Sequence, residues 1–193
     1  KKRFDANIVV KFENNLICNF EGRIRFSGDQ KDHIALKGNS IIQSIDVHLK
    51  YGNIYGITKF KLFLPWTRGK FEDQIFVTEL LRELNYLAPR TSYVEVMIND
   101  VKTKMLFQEK AAKELLEFNL RREGPILEGD ERFLYRMIES AGLPDNQLSN
   151  WEIGIVPLLE DGVNTVFTKQ TNTNWIMKSE KHAVMPYNSL SNL

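Results

Sequence analysis

Apolar patterning changes character between Leu64 and Phe71 in this chain of 193 residues, and the place where it changes restricts the fold more than any other feature. Up to about Leu64 the apolar residues come in short strand-like runs, and from Phe71 to Leu87 they come at helical spacing. Asn7 to Phe12, Leu16 to Phe20 and Arg23 to Phe26 are rich in Ile, Val and Phe and are broken by Asn14-Asn15, Gly22 and Gly28, which predicts a hairpin or meander. In Arg23-Ile24-Arg25-Phe26 and His33-Ile34-Ala35-Leu36 apolar residues alternate with polar or small ones, the pattern of half-buried strands. Further strands are predicted at Ile45 to Leu49 and at Lys59 to Leu64.

Beyond Pro65-Trp66-Thr67-Arg68-Gly69, residues Ile75, Phe76, Leu80, Leu81, Leu84 and Leu87 recur at helical spacing, with Asp73, Gln74, Glu79, Arg82 and Glu83 on other faces. They predict an amphipathic helix from Phe71 to Leu87, stopped by Pro89. Two strands follow, Ser92 to Ile98 and Lys104 to Phe107, joined by a turn at Asn99-Asp100. A second helix is predicted from Glu109 to Leu120, with Lys110 to Glu114 and Lys113 to Glu117 pairs on its wet side and Gly124-Pro125 as its end. A third is predicted from Asp130 to Ala141, and Asn164 to Asn174 is polar enough for a loop or an exposed edge. The fold class is therefore α+β: a β-meander, a strand with a lysine pair, an amphipathic helix, two antiparallel strands, then helices.

Composition removes several function classes. Twenty-six Lys and Arg balance 25 Asp and Glu, so no global field draws the chain to nucleic acid or to an anionic membrane. No apolar run reaches the ~20 residues of a spanning helix, and no signal-peptide core opens the chain. The single Cys18 excludes an internal disulfide framework and a CxxC knuckle and reads as a strand residue. His33, His48 and His182 lack the spacing of a zinc site, and no GxSxG elbow or Cys-His signature is present. Glu128, Asp130 and Glu131 could supply oxygens to a hard cation but do not follow EF-hand spacing, so no metal ligand is assigned.

Three segments carry a family resemblance. Leu36-Lys37-Gly38-Asn39-Ser40 is similar to an Arg-Gly-Asn-Ser turn, with Lys37 in the basic position, and Thr58-Lys59-Phe60-Lys61-Leu62-Phe63 to a basic-aromatic strand that follows it. Leu80-Leu81-Arg82-Glu83-Leu84, Ala88-Pro89-Arg90, Tyr93-Val94-Glu95-Val96, Ile98-Asn99-Asp100 and Leu106-Phe107-Gln108-Glu109 resemble a helix, an Ala-Pro-Arg turn, a strand, an Asn-Gly hairpin and a terminal Glu. Together, over Ile34 to Phe118, they resemble the CotH family of spore-coat protein kinases. Asp100 departs from the hairpin Gly, and Lys102 to Met105 from a Gly-rich aromatic stretch. Nothing in Asp145 to Leu193 matches the family's catalytic Asp segment or its metal-binding Asp pair.

The resemblance implies a kinase-like small lobe over residues 1–108 and the helical start of a large lobe over 109–193, with the chain a fragment that is inactive alone. It implies ATP and Mg2+ as cofactors and a protein Ser or Thr as phosphate acceptor. In that reading Lys59 or Lys61 grips phosphate, since phosphoryl transfer is catalysed mostly by positioning and charge neutralisation. Glu79, or Glu83 one turn on, would hold that lysine. Gly38-Asn39-Ser40 would turn backbone N–H groups toward phosphate oxygens, and Glu109 would close the strand that leads to the base-reading segment. Each residue has a plainer alternative: solvated strand lysines, helix-face carboxylates, a β-turn, and a cap for a helix starting at Lys110. Arg121 or Arg122 meets either a substrate phosphate or only its own connection. The competing function is a non-catalytic binding or structural module of a surface, coat or particle assembly, its partner another protein.

Overall fold

The computed structural model describes residues 2–28, 31–69, 72–124, 126–128 and 169–170. The chain divides into two compact units, Lys1–Arg122 and Glu123–Leu193. The secondary structure described in the second is one short antiparallel pair, Leu127–Glu128 against Lys169–Gln170. The predicted helix from Asp130 to Ala141 and the polar stretch from Asn164 lie outside the described residues, except for that pair.

The first unit is a six-stranded antiparallel sheet with two helices, an α+β arrangement. Its strands are β1 (Phe4–Lys11), β2 (Ile17–Phe26), β5 (Ile45–Leu49), β6 (Lys59–Phe63), β7 (Thr91–Ile98) and β8 (Val101–Glu109). β3 (Ile34–Lys37) and β4 (Ser40–Gln43) form a separate hairpin. In space the order is β1-β2-β5-β6-β8-β7. The strand after β6 is therefore at the sheet's edge, and the one after that returns beside β6.

Alternation sends Ile8, Val10, Phe20, Ile24, Val47, Leu49, Phe60, Leu62, Met105, Val94 and Val96 to one face, where they join Ile42 of the β3–β4 hairpin and Ile54 and Ile57 of the following loop in one core. Strands read as half-buried are so because this face alone is apolar along β1, β2 and β5. The first two predicted segments of β2 are one continuous strand. Gly22 is the reason: a Cβ there would meet the His48 carbonyl oxygen and Ile8 Cδ1, each at 2.8 Å, so the break in the apolar run marks a close approach and not a turn.

Helix α1 (Asp73–Glu83) lies against β7 and is shorter than predicted at both ends. Asn85 takes a left-handed φ of 63°, while the N–H of Tyr86 donates to the Leu81 carbonyl and that of Asn85 to the Arg82 carbonyl. That is a Schellman ending, so Leu87 falls outside the helix. Phe76, Leu80 and Leu84, predicted on the packed side, are exposed, and Thr78 is the helix residue that is buried.

Helix α2 (Lys113–Phe118) begins four residues later than predicted, because Glu109 still belongs to β8 and Ala112 is extended. It ends in the same way as α1, with Leu120 at φ 53° and the N–H of Arg121 donating to the Leu116 carbonyl. The two endings are tied together: Arg121 Nη2 donates to the backbone oxygen of Asn85 at 2.8 Å and to its Oδ1 at 2.9 Å. Between β7 and β8, Asn99 and Asp100 have φ of 47° and 65° with Ile98 opposite Val101, a two-residue turn in which Asp tolerates the conformation that Gly would supply.

Candidate functional site

The second face of the sheet is polar across β1, β2, β5 and the start of β6. Cross-strand pairing sets Arg23 against His48, Arg25 against Asp46, His48 against Lys59 and Asp46 against Lys61. Directly opposed residues share a face, so these side chains form one charged surface. At its centre Asp46 is fully buried. Arg25 reaches its Oδ2 from Nη2 at 2.9 Å and from Nε at 3.2 Å, and Lys110 Nζ reaches the same oxygen at 3.0 Å. Arg3 Nη2 meets Oδ1 at 3.3 Å.

Burial pushes the Asp46 carboxyl up, and hydrogen bonds and charges from Lys110, Arg25 and Arg3 more than reverse it, so it lies below the usual carboxylate range. Three cations thus meet one carboxylate, and two positive charges remain in excess. His48 adds none at neutral pH. Its ring is pushed down to about 4, by burial first and then by Arg3, with Asp46 pulling the other way and Lys110 and Lys59 adding to the fall. Arg3 Nη2 approaches His48 Nε2 at 3.4 Å, which fits a neutral ring that accepts there.

Lys59 and Lys61 lie on this face, both half-buried, as their spacing on one strand predicts. Lys61 Nζ also lies 5.4 Å from the centre of the Phe63 ring. The backbone oxygen of Lys59 accepts from the N–H of Lys110 at 3.0 Å, so the segment leaving β8 runs beside the lysine strand.

The other predicted residues go elsewhere. Glu79, the predicted carboxylate partner for the lysines, pairs with Arg82 on its own helix. Gly38 and Asn39 form the exposed two-residue turn of β3–β4, with Gly38 at φ 60°. That hairpin contributes Ile42 to the apolar core, on the side of the sheet opposite to the lysines. Lys37 Nζ donates to the carbonyl of Lys102, near the far end of β8.

Glu109 is buried and does not cap helix α2. Its Oε1 takes Arg90 Nη2 at 2.7 Å, and its Oε2 takes Nε at 2.8 Å and the Arg90 N–H at 3.3 Å. Arg90 also donates to the Tyr55 carbonyl at 2.5 Å and lies 4.1 Å from the Phe118 ring centre. The Ala-Pro-Arg turn and the terminal Glu, separate words in the sequence, are one ion pair in the structure. Arg121 is committed to Asn85 as described above.

Asp46, Arg3, Arg25, His48 and Lys110 were not singled out by sequence reasoning as a group. A usable signal existed in the i,i+2 pairs Arg23/Arg25, Asp46/His48 and Lys59/Lys61, three strands each charged on one face. Among the described residues no group of three His, Cys, Asp or Glu side chains is placed to hold a metal ion, and no helix is long and apolar enough to cross a membrane. No protein-family model matches the chain, and no curated protein matches it.

Proposed function

We propose that the first unit is the nucleotide-binding lobe of a CotH-like atypical kinase, which transfers the γ-phosphate of ATP to protein Ser or Thr. The observation that carries the reading is the backbone bond from Lys110 to Lys59. The segment leaving the sheet thus runs next to a strand lysine, the arrangement this reading expects if that segment reads the base and that lysine grips phosphate. The strand order supports it: β6 is followed by helix α1 and the β7–β8 hairpin, and β8 rather than β7 returns to the lysine strand.

The described cations fit a phosphate by sign and by number. Lys59 or Lys61 grips it, with Arg25 and Lys110 alongside. Asp46 is the carboxylate that holds Arg25 and Lys110. The described residues supply no ligand set for Mg2+, and no catalytic residue is assigned among them. Titration of Mg-ATP into the chain by calorimetry, beside Lys59→Ala/Lys61→Ala, tests the reading. Binding that disappears in a folded double variant supports it, and binding that the double variant retains in full overturns the role of the lysines.

A second reading is favoured by one observation, the Glu79–Arg82 pair. A lobe whose helix carboxylate does not hold the strand lysine fits a non-catalytic binding module of a protein assembly. Absence of ATP binding by the folded chain favours that module.

A further inference from the structure

We infer that the cluster of Arg3, Arg25 and Lys110 around Asp46 is a binding site for a phosphate-type oxyanion. Arg3 Nη1 is buried without a hydrogen-bond partner. A buried donor left unpaired costs about 1–3 kcal/mol, and more when it is charged, so an anion that drew the Arg3 side chain, itself 24% exposed, into a new hydrogen bond would relieve that cost. The same guanidinium already spends Nη2 on Asp46 and His48, which fixes its plane.

The excess charge specifies the ligand. Two positive charges remain after Asp46 is counted, and the three side chains are only 24–38% exposed, so solvent screens them incompletely. A phosphate group carries about −1.5 to −2 charge and several acceptor oxygens, and planar guanidinium forks suit its geometry. Neutral His48 does not add to the repulsion among the cations. Asp46 then acts as a positioning residue: it aims three long side chains at one place, and without it they would diverge by mutual repulsion.

The inference deepens the nucleotide reading and rests on it in taking this face as the phosphate side. The phosphate could belong to a nucleotide or to an inorganic polyphosphate, and the experiment separates the two. Sodium tripolyphosphate, ATP and adenosine are each titrated into the full chain by calorimetry at two salt concentrations. Arg3→Gln, Arg25→Gln and, as a distant charge control, Lys102→Gln are titrated beside it, with circular dichroism to check folding. Arg25→Lys serves if Arg25→Gln does not fold, since it keeps the charge and loses only the fork.

Tripolyphosphate is expected to bind, about tenfold more weakly in Arg3→Gln and Arg25→Gln, with Lys102→Gln unchanged and adenosine silent. Equal affinity for ATP and tripolyphosphate supports the site while overturning the nucleotide reading. ATP binding that Arg3→Gln and Arg25→Gln leave unaltered overturns the inference while leaving the nucleotide reading intact. No binding of either anion, or an equal loss in Lys102→Gln, overturns the inference.

Discussion

Glu109→Gln should destabilise the first unit by about 3 kcal/mol. Glu109 is 1% exposed and Arg90 16%, and they meet through both carboxylate oxygens. Two unit charges about 4 Å apart attract by about 4 kcal/mol at an effective dielectric of 20. The glutamine carbonyl keeps one of the hydrogen bonds, about 1 kcal/mol, but its NH2 group faces a guanidinium N–H. The result sits at the lower end of the 3–5 kcal/mol known for breaking buried pairs, which suits an arginine that keeps some solvent and its contact with Phe118.

Urea denaturation followed by circular dichroism measures the effect. With a slope of about 2 kcal/mol/M the midpoint should fall by about 1.5 M. Glu95→Gln is the comparison, because Glu95 and Lys102 form an ion pair that is 73% and 67% exposed. It should cost less than about 0.5 kcal/mol. Arg90→Met/Glu109→Met should lose less than the two single variants summed, since no charge is then left buried and alone. Equal midpoints for Glu109→Gln and Glu95→Gln would refute the claim that this pair braces the end of the β7–β8 hairpin.

Three other perturbations follow from the same structure. As pH falls from 7 to 4 the unfolded chain protonates His48 near 6.5 while the folded chain does so only near 4, so stability should decline across that window and level off below it as far as this group is concerned. The loss should be about 2 kcal/mol, allowing for screening of a side chain that is 31% exposed, and urea midpoints of His48→Gln should change correspondingly less; equal declines would count against it. Leu120→Gly should raise the melting temperature by about 1 kcal/mol worth of stability, because an exposed Leu at φ 53° sits where Gly is preferred; a fall would show that the apolar side chain matters more than the backbone. Gly22→Ala should cost about 1–3 kcal/mol in thermal or urea unfolding, from contacts of 2.8 Å with a backbone oxygen and with Ile8; a neutral result would mean β2 can shift away from β5.

Local signals were legible in the sequence where one strand or turn decided the outcome. β5 was read to the residue, and the hairpin at Asn99-Asp100 and the shared face of Lys59 and Lys61 follow from alternation and turn chemistry. The helix ends were not, because left-handed Asn85 and Leu120 stop α1 and α2 through backbone bonds that apolar spacing does not register. β4 was missed because four residues after a Gly-Asn turn carry too little pattern. The charged cluster was hidden for a different reason. Asp46 lies 21, 43 and 64 residues from Arg25, Arg3 and Lys110, and only the sheet order brings them together. Glu79 shows the reverse case: helix position made it a candidate, and a nearer arginine took it.

The central claim, that the polar face of the sheet receives a nucleotide, is tested most directly by amide chemical-shift mapping of Mg-ATP on the isotopically labelled chain. The account predicts saturable shifts at Arg25, His48, Lys59 and Lys61 and through Glu109 to Ala112, with the β3–β4 hairpin and the Asn99-Asp100 turn unchanged. Shifts confined to the hairpin face, or none at millimolar Mg-ATP, would contradict it.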